Sequence, residues 1–532
     1  MRILKRGVDL SDSLGGMRRR STGFAAAAAL LAASALLSRV LGLVRDRVIA
    51  HQIGATSETD AYGAAFLIPD ILNYFLAGGA LSIAFIPLYS RLRAGSGDED
   101  AAALFDKVLG TMGVVVVVAT ALLWWQADAI VPRLFAGFAA ETQILTTRLV
   151  RILLPAQIFF VVGGIVRAVL MARGRFGSQA LAPLLYNTGI IVCGAVWGAH
   201  WGAEAFAWGA LIGAAVGPFL IPMIEVWRDP ELRPRPRFTP LDPVFLRYLA
   251  MAAPLMFGVS LLTVDEWYDK FFGARLIEGT VAYLGFGRRL AQVPIGVLGQ
   301  AIATAALPTL SKLWAERRHG ELDRALLAAL RSGLALGIIA AVGLFAFAHP
   351  VVVLIIETGR FSAADSDRVA SLLMIFSIAI PAWITQQIAV RAFYARGEMW
   401  FPMLLGTGVA IAFIPLYLAL GSSAEGLATA GVIGMSTSAA LTLALARLRH
   451  GGPRFTSLMS SGLRAAAIAA AAGAVAAWAG TQVDSAFATL ALGGSIFAAL
   501  CLAGARWFGD EPMRGVVDRL ARSARKLARH AG

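Results

Sequence analysis

Arg39, Arg45 and Asp46 lie in SRVLGLVRD (Ser38 to Asp46), and Asp60 follows in TSETDAYGAAFLIPD (Thr56 to Asp70), beside runs apolar enough to enter a bilayer. A charge at mid-membrane costs roughly 2.5 to 3.5 kcal/mol on insertion scales, so these groups are expected to face protein or a water-filled cavity. At about 100° per residue, Arg39, Gly42 and Arg45 share roughly a third of a helix circumference, leaving a gap between two guanidinium groups. Two such forks suit an anionic headgroup that bears phosphate. The competing reading is that both arginines snorkel to an interface or pair with Asp46 and Asp60.

A second group of charges lies in SLLTVDEWYDKFFGARL, where Asp265, Glu266, Asp269 and Lys270 share an arc of about 140° and Glu266 to Lys270 is a favourable i,i+4 pair. A self-neutralised ion-pair network is one reading of that cluster. Arg288 and Arg289 then sit inside the apolar AYLGFGRRLAQVPIG, with no acid one turn away on their own helix. They join the candidate anion site.

The elements that must hold these residues are membrane helices. The chain is 58% hydrophobic and 15% charged, with mean hydropathy +0.70, which excludes a soluble domain. Apolar runs of helical length predict an all-α integral membrane protein of about fourteen transmembrane helices. The net charge of +14 is concentrated in short gaps between runs, a topology signal and not a nucleic-acid surface. Basic gaps alternate with poor ones, predicting an even number of helices with both termini on the cytoplasmic side of the membrane. Cys193 and Cys501 each lie within an apolar run, so no disulfide framework is implied. The N-terminal run is read as an uncleaved helix because it continues into the charged motif.

An internal repeat organises the chain. Gly78 to Leu92 (GGALSIAFIPLYSRL) echoes Gly299 to Leu313 (GQAIATAALPTLSKL), 221 residues on, and Ala172-Arg173-Gly174 echoes Ala395-Arg396-Gly397 at nearly the same offset. The expected organisation is a basic N-terminal segment at 1–23, a six-helix repeat at 24–226, a linker at 227–243, a second six-helix repeat at 244–450, a C-terminal helix pair at 451–507 and a basic amphipathic tail at 508–532. Two parallel halves around a cavity suit alternating access. No P-loop and no metal-spaced His/Cys cluster is present, and no loop is long enough for a nucleotide-binding domain, so neither an enzyme nor a cofactor is expected.

SRVLGLVRD, the TDA of Thr59 to Ala61, AFLIPD and GALSIAFIP together resemble the MurJ (MviN) family of lipid II flippases, in the MOP transporter superfamily. The stretch from Val264 to Lys312 resembles the family's seventh and eighth helices, and FYARGEMWFPM the connection of its tenth and eleventh. The resemblance implies a V-shaped bundle whose cationic cavity binds the diphosphate and sugars of an undecaprenyl-linked precursor. By position it implies that Arg39, Arg45 and Arg289 are cavity arginines, that Asp60 is an important acid, and that Asp269 matches a sodium ligand of some members. Either Arg288 compensates for missing family charges or the cargo differs: this chain has Asp70, Asn73, Tyr74 and Gly78-Gly79 where the family carries paired arginines and an acid, and Gln292 after Arg289. Sodium or the membrane potential is expected to reset the carrier. The implied partners are the lipid-linked glycan, anionic lipids at the tail and cell-wall synthesis enzymes. Rival readings are a flippase for exopolysaccharide or O-antigen precursors and a cation-coupled multidrug antiporter, the latter disfavoured by the arginines.

Overall fold

The computed structural model describes residues 10–77, 84–257, 261–518 and 522, and every regular element among them is helical. The N-terminal half runs through α1 (Leu10–Ile53), α2 (Ser57–Ala65), α3 (Leu67–Ala77), α4 (Ile86–Gly95), α5 (Asp98–Trp125), α6 (Ala127–Leu134), α7 (Ala140–Leu153), α8 (Ala156–Ala172), α9 (Gly177–Trp201), α10 (Ala203–Ala214) and α11 (Ile221–Trp227). After the arginine-rich linker come α12 (Pro243–Phe257), α13 (Leu261–Gly273), α14 (Thr280–Pro294), α15 (Gln300–Ala315), α16 (His319–Ala346), α17 (Ala348–Ile355), α18 (Ala363–Ile378), α19 (Ile380–Ala395), α20 (Trp400–Ala412), α21 (Ile414–Leu420) and α22 (Ala424–His450). The chain closes with α23 (Phe455–Gly480) and α24 (Ala486–Trp507). Two π turns, Ala215–Leu220 and Ile295–Gly299, join α10 to α11 and α14 to α15. One contains Pro218 and the other follows Pro294, and a proline's missing N–H frees a carbonyl that an α turn would have used.

Among the described residues, ten helices are long and apolar enough to span a membrane, or eleven if α18 and α19, bent by 41°, form one span. This is fewer than the about fourteen expected from apolar runs. The three expected spans outside that set lie near 24–50, 61–91 and 246–274; the first carries Arg39, Arg45 and Asp46, the last Asp265, Glu266, Asp269 and Lys270, and the latter two pass through residues outside the described set. The half of the Gly78–Leu92 repeat that falls on residues 78–83 lies outside it too.

Elsewhere the repeat is visible as geometry. Helices α5 and α16 are both 28 residues long and begin 221 residues apart; α6 and α17, both of 8 residues, follow each at the same offset. Both α8 and α19 end in Ala-Arg-Gly with the glycine left-handed, φ 80° at Gly174 and 77° at Gly397. Only glycine takes that conformation without steric cost. In each turn the N–H two residues after the arginine returns to the helix, Arg175 to the Leu170 carbonyl (2.8 Å) and Glu398 to that of Phe393 (2.9 Å). Each arginine then reaches an acid at the start of a neighbouring helix, Arg173 to Asp98 (3.0 Å) and Arg396 to Asp323 (3.5 Å).

The largest buried cluster joins both halves, through Ile49, Ile53, Tyr62 and Phe206 from the first and Phe272, Phe286, Phe361 and Tyr417 from the second. Within the first half, α9 and α10 touch backbone to backbone: a Cβ on Gly209 would stand 2.7 Å from the Gly189 carbonyl. Small residues permit this close approach, a common device where lipid supplies no hydrophobic drive between helices. Val114, Val115, Val117 and Val118 on α5 and Leu36, Leu37 and Val40 on α1 are exposed, as lipid-facing residues must be. Trp124, Trp125, Trp197, Trp201 and Trp208 lie exposed near helix ends, the usual depth of an interfacial aromatic belt. After α24, Asp510 accepts from Arg331 (2.9 Å), and Met513 packs on Ala335, Ala465 and Ala505. The tail thus begins docked on the bundle; most of its basic residues lie beyond those described.

Candidate functional site

Between the halves lies a cavity of about 300 Å³. Its walls come from α1, α2, α3 and α9 on one side and α13 and α14 on the other. Three ion clusters meet there, each joining residues that the chain order keeps far apart.

In the first, Asp46 Oδ1 accepts from Arg45 Nε (3.2 Å) and Nη2 (3.1 Å), while Arg289 Nε of α14 stands 2.8 Å from Oδ2 without hydrogen-bond alignment. Arg45 Nη1 also donates to Asn187 Oδ1 (3.2 Å), and Asn187 is itself fixed by donating to Ser38 Oγ (3.2 Å) and the Pro183 carbonyl (3.0 Å). The Arg289 guanidinium lies 5.0 Å over the Phe286 ring. In the second cluster, Lys270 Nζ bridges Asp70 (2.9 Å) and Glu266 (3.5 Å). The third is buried: Arg288 Nε donates to Asp269 Oδ2 (2.7 Å), its Nη1 donates to Asp265, and the Tyr417 hydroxyl donates to the same Asp265.

The clusters correct several expectations. Among described residues the lining holds four cations (Arg45, Lys270, Arg288, Arg289) and four acids (Asp46, Asp70, Glu266, Asp269), so the cavity is balanced in charge where a cationic one was implied. Burial explains the balance, since an unpaired charge in this medium costs several kcal/mol. Arg288 is committed to two carboxylates, with its side chain 2% exposed, and is not free for cargo. By contrast Arg45 and Arg289 keep 22% and 38% of their side chains exposed. They are the two arginines of the lining that stay partly exposed.

Asp60 does not line the cavity. It is buried at the far end of the bundle from the basic turns and accepts from the N–H groups of Gly279 (2.7 Å) and Ala282 (2.8 Å), capping α14 from the other half. Glu278 returns the favour by accepting from Ser57 N–H (2.8 Å) at the start of α2. Nearby, Arg47 donates to the Leu354 carbonyl (2.6 Å), and Arg360 N–H to that of His51 (3.1 Å). Arg39 also stands outside the lining. Its Nη1 reaches the Gln292 carbonyl (3.4 Å), and its guanidinium lies against Gly296, where a Cβ would collide with it.

A sodium ion needs a cage of oxygens. Asp269 has Oδ2 on Arg288 and only Oδ1 unpartnered, while both Arg288 and Tyr417 hold Asp265. The neighbouring position on α22 is Gly431, which brings no ligand. No group of three His, Cys, Asp or Glu able to hold a metal occurs among the described residues. The residues around Asp269 do not fit sodium, because a guanidinium already occupies the cationic place.

Sequence reasoning found Arg45, Arg289 and the Glu266–Lys270 pair but missed Asp46 as a bridge and Asp70 as the partner of Lys270. The i,i+4 spacing of Asp265 and Asp269 was the available signal for Arg288: two acids on one face call for a cation from another helix.

Comparison with known proteins places this arrangement. A sequence model of the family "Lipid II flippase MurJ" matches residues 49–497. A probable lipid II flippase MurJ of Vibrio cholerae is 28% identical over 395 residues, 71% of this chain and 74% of that protein. The lipid II flippase MurJ of Burkholderia cenocepacia is 29% identical over 395 residues, 72% and 76% of the two chains. A probable MurJ of Rhizobium meliloti is 28% identical over 503 residues, 90% and 93%. Among solved structures, a lipid II flippase MurJ in an inward closed conformation matches with TM-score 0.77 at 22% identity, covering 90% of this chain and 98% of that one. An inward-facing multidrug MATE transporter of the MOP superfamily matches with TM-score 0.66 at 17% identity, covering 78% and 94%. This multi-pass membrane protein, with the fold of MOP transporters and a charge-paired cavity between its halves, belongs to the MurJ family of lipid II flippases.

Proposed function

We propose that this chain carries lipid II, the undecaprenyl-diphosphate-linked peptidoglycan precursor, from the inner to the outer leaflet of the bacterial cytoplasmic membrane by alternating access. The observation that carries the reading is the meeting of Arg45 from α1 and Arg289 from α14 at one cavity, both with side chains partly exposed. A diphosphate bound there gains charge-assisted contacts from both halves, each worth about 1.5 to 3 kcal/mol. Binding then favours one arrangement of the halves over another, which is all that a carrier requires. No covalent bond is made or broken.

The Arg-rich turns and linker support an orientation with both termini cytoplasmic. The Asp60 and Glu278 caps then lie toward the outer leaflet, and both must open before cargo leaves on that side. Because a guanidinium holds the cationic place at Asp269 and the lining is balanced in charge, the favoured driving term is the membrane potential acting on the charge of the bound diphosphate, at about 2.3 kcal/mol per charge per 100 mV. The basic tail suits anionic lipids of the inner leaflet, where cell-wall synthesis enzymes would deliver the precursor.

The test is replacement of a cell's lipid II flippase by this chain, scoring growth and lipid II exposed on the outer leaflet. Rescue that is lost in Arg45→Ala and Arg289→Ala is the expected result. The balanced cavity favours one second reading, another polyprenyl-diphosphate glycan as cargo. Failure of a well-expressed, inserted chain to rescue would select it.

A further inference from the structure

The linker between α11 and α12 carries Arg228, then Arg233-Pro234-Arg235-Pro236-Arg237, and closes through Phe238 and Leu241. Each proline fixes its own φ and keeps the arginine before it out of helical conformation, so the segment is stiff and extended, and residues 233–239 take no regular structure. It is nonetheless pinned to α5 along its length. The Arg235 N–H donates to Asp106 Oδ1 (2.7 Å), the Arg237 N–H to the Asp106 carbonyl (3.0 Å) and the Thr239 N–H to Thr111 Oγ1 (3.1 Å). Gly110 admits this approach, since a Cβ there would stand 2.4 Å from the Arg237 backbone nitrogen. Leu232 is buried at one end; at the other Asp242 holds Lys107 (2.7 Å) and accepts from the Val244 N–H (2.9 Å), capping α12.

These bonds hold backbone and leave the arginines unspent. Arg228, Arg233, Arg235 and Arg237 are all exposed, and among the described residues none of the four forms an ion pair. The acids of the same linker are already engaged, Asp229 with Arg175 (2.8 Å) and Glu231 with Arg173 (2.9 Å). The depth of the strap follows from α5. Asp106 and Thr111 are about 7.5 Å apart along the helix axis at the α-helical rise. Val114, Val115 and Val118, at i+3, i+4 and i+7 from Thr111, continue the same face as exposed apolar side chains. The strap therefore ends where lipid contact begins. Arg235 and Arg237 stand at headgroup depth, and Phe238 and Leu241, 58% and 83% exposed, at the acyl boundary.

We propose that residues 228–241 are an interfacial strap that binds anionic phospholipids of the inner leaflet, Arg228, Arg233, Arg235 and Arg237 donating to their phosphates while Phe238 and Leu241 enter the acyl boundary. The inference goes beyond cargo carriage and rests on the reading that the basic turns face the cytoplasm. Charge complementarity names the occupant. Four cations without acids, beside exposed apolar side chains, match a surface that is anionic above hydrocarbon. An acidic protein would satisfy the arginines and leave Phe238 and Leu241 without a partner. Because Asp242 caps α12, lipids that hold the strap also fix the end of the helix where the second half begins.

The experiment uses the full chain in nanodiscs, with a fluorophore on Pro240→Cys at the exposed end of the strap; the native Cys193 and Cys501 are buried. Quenching by brominated phosphatidylglycerol is compared with quenching by brominated phosphatidylcholine at equal content. Phosphatidylglycerol should be preferred, and the preference should weaken with added salt. At about fivefold per charge, R233Q/R235Q/R237Q should lower it on the order of a hundredfold, while R233K/R235K/R237K keeps most of it. All three side chains are exposed, so melting should stay unchanged in both variants. Gly110→Leu lifts the strap with its arginines intact and should lose the preference too. Equal quenching by the two lipids, or a preference that survives the glutamine variant, overturns the proposal. Equal quenching together with protection of the dye by soluble polyglutamate would assign the strap to an acidic protein instead. Orientation is read separately, by labelling the same cysteine with a membrane-impermeant maleimide. Labelling from the cytoplasmic side is expected; labelling only from outside would overturn the orientation and the inner-leaflet assignment, leaving cargo carriage to its own test.

Discussion

Two trios of charge share one cavity with opposite arithmetic. Around Asp46, two arginines divide one carboxylate; around Arg288, two carboxylates divide one arginine. Arg288 and Arg289 are neighbours in sequence and serve different trios. The first trio has a surplus of positive charge and two partly exposed arginine side chains, as the proposed binding of an anion requires. The second is closed: Arg288 is covered by Phe376 at 4.7 Å, and the Tyr417 hydroxyl takes up an acceptor of Asp265. One trio is poised for binding and the other fastens α13 to α14, and the distinction follows from stoichiometry and exposure, since both are built of the same residue types.

Substitutions sharpen this contrast, beginning with the closed trio. Arg288→Met leaves two buried carboxylates uncompensated, and breaking a buried pair in this way costs about 3 to 5 kcal/mol. The expected outcome is a large loss of folded protein and of melting temperature in detergent, largely restored when Asp265→Asn and Asp269→Asn are added. If Arg288→Met alone melts like wild type, the two trios do not differ as described.

Next comes the open trio. Arg289→Ala should leave melting nearly unchanged, because the side chain is half-exposed, while weakening cargo binding by the worth of one charge-assisted contact, about 1.5 to 3 kcal/mol. Binding of pyrophosphate or lipid II measures it; an effect on folding without one on binding would reverse the assignment. A smaller change is expected at the bundle's far end, where Asp60→Ala removes the cross-half cap of α14 and should cost about 0.5 to 2 kcal/mol. Accessibility of a cysteine placed at Ser57 should rise with it. Smallest of all is Arg148→Ala, which breaks a pair with Glu204 on an arginine side chain 61% exposed, and should change melting by about 0 to 1 kcal/mol.

The membrane class, the helical architecture and the arginines that meet at the cavity were legible because a charge in an apolar run is conspicuous one residue at a time. Pairing was not legible. Asp46 and Arg289 are 243 residues apart, and Lys270 and Asp70 are 200 apart, so nothing local tells which acid faces which base. Asp60 shows the same limit in another form: its place beside apolar runs and its match to a family acid put it among the candidate site residues, but its partners are backbone N–H groups, which every sequence contains and none advertises. The count of about fourteen spans is met by ten or eleven among the described residues, because charges lower the hydropathy of the span at 24–50 and two other expected spans pass through residues outside that set.

The π turn at Ile295–Gly299 has a mechanical consequence. A turn closed by i→i+5 bonds stores one residue more than an α turn, so α14 and α15 together form a rod with slack in it. Taking up that residue would advance everything beyond it by about 1.5 Å and rotate it by about 100°. Arg39 rests on this turn from the opposite half, against Gly296, and Gly299 at its end abuts Gln387 of α19. A change of pitch in five residues would therefore be felt on both sides of the seam at once, as a ratchet tooth is felt by both wheels it separates.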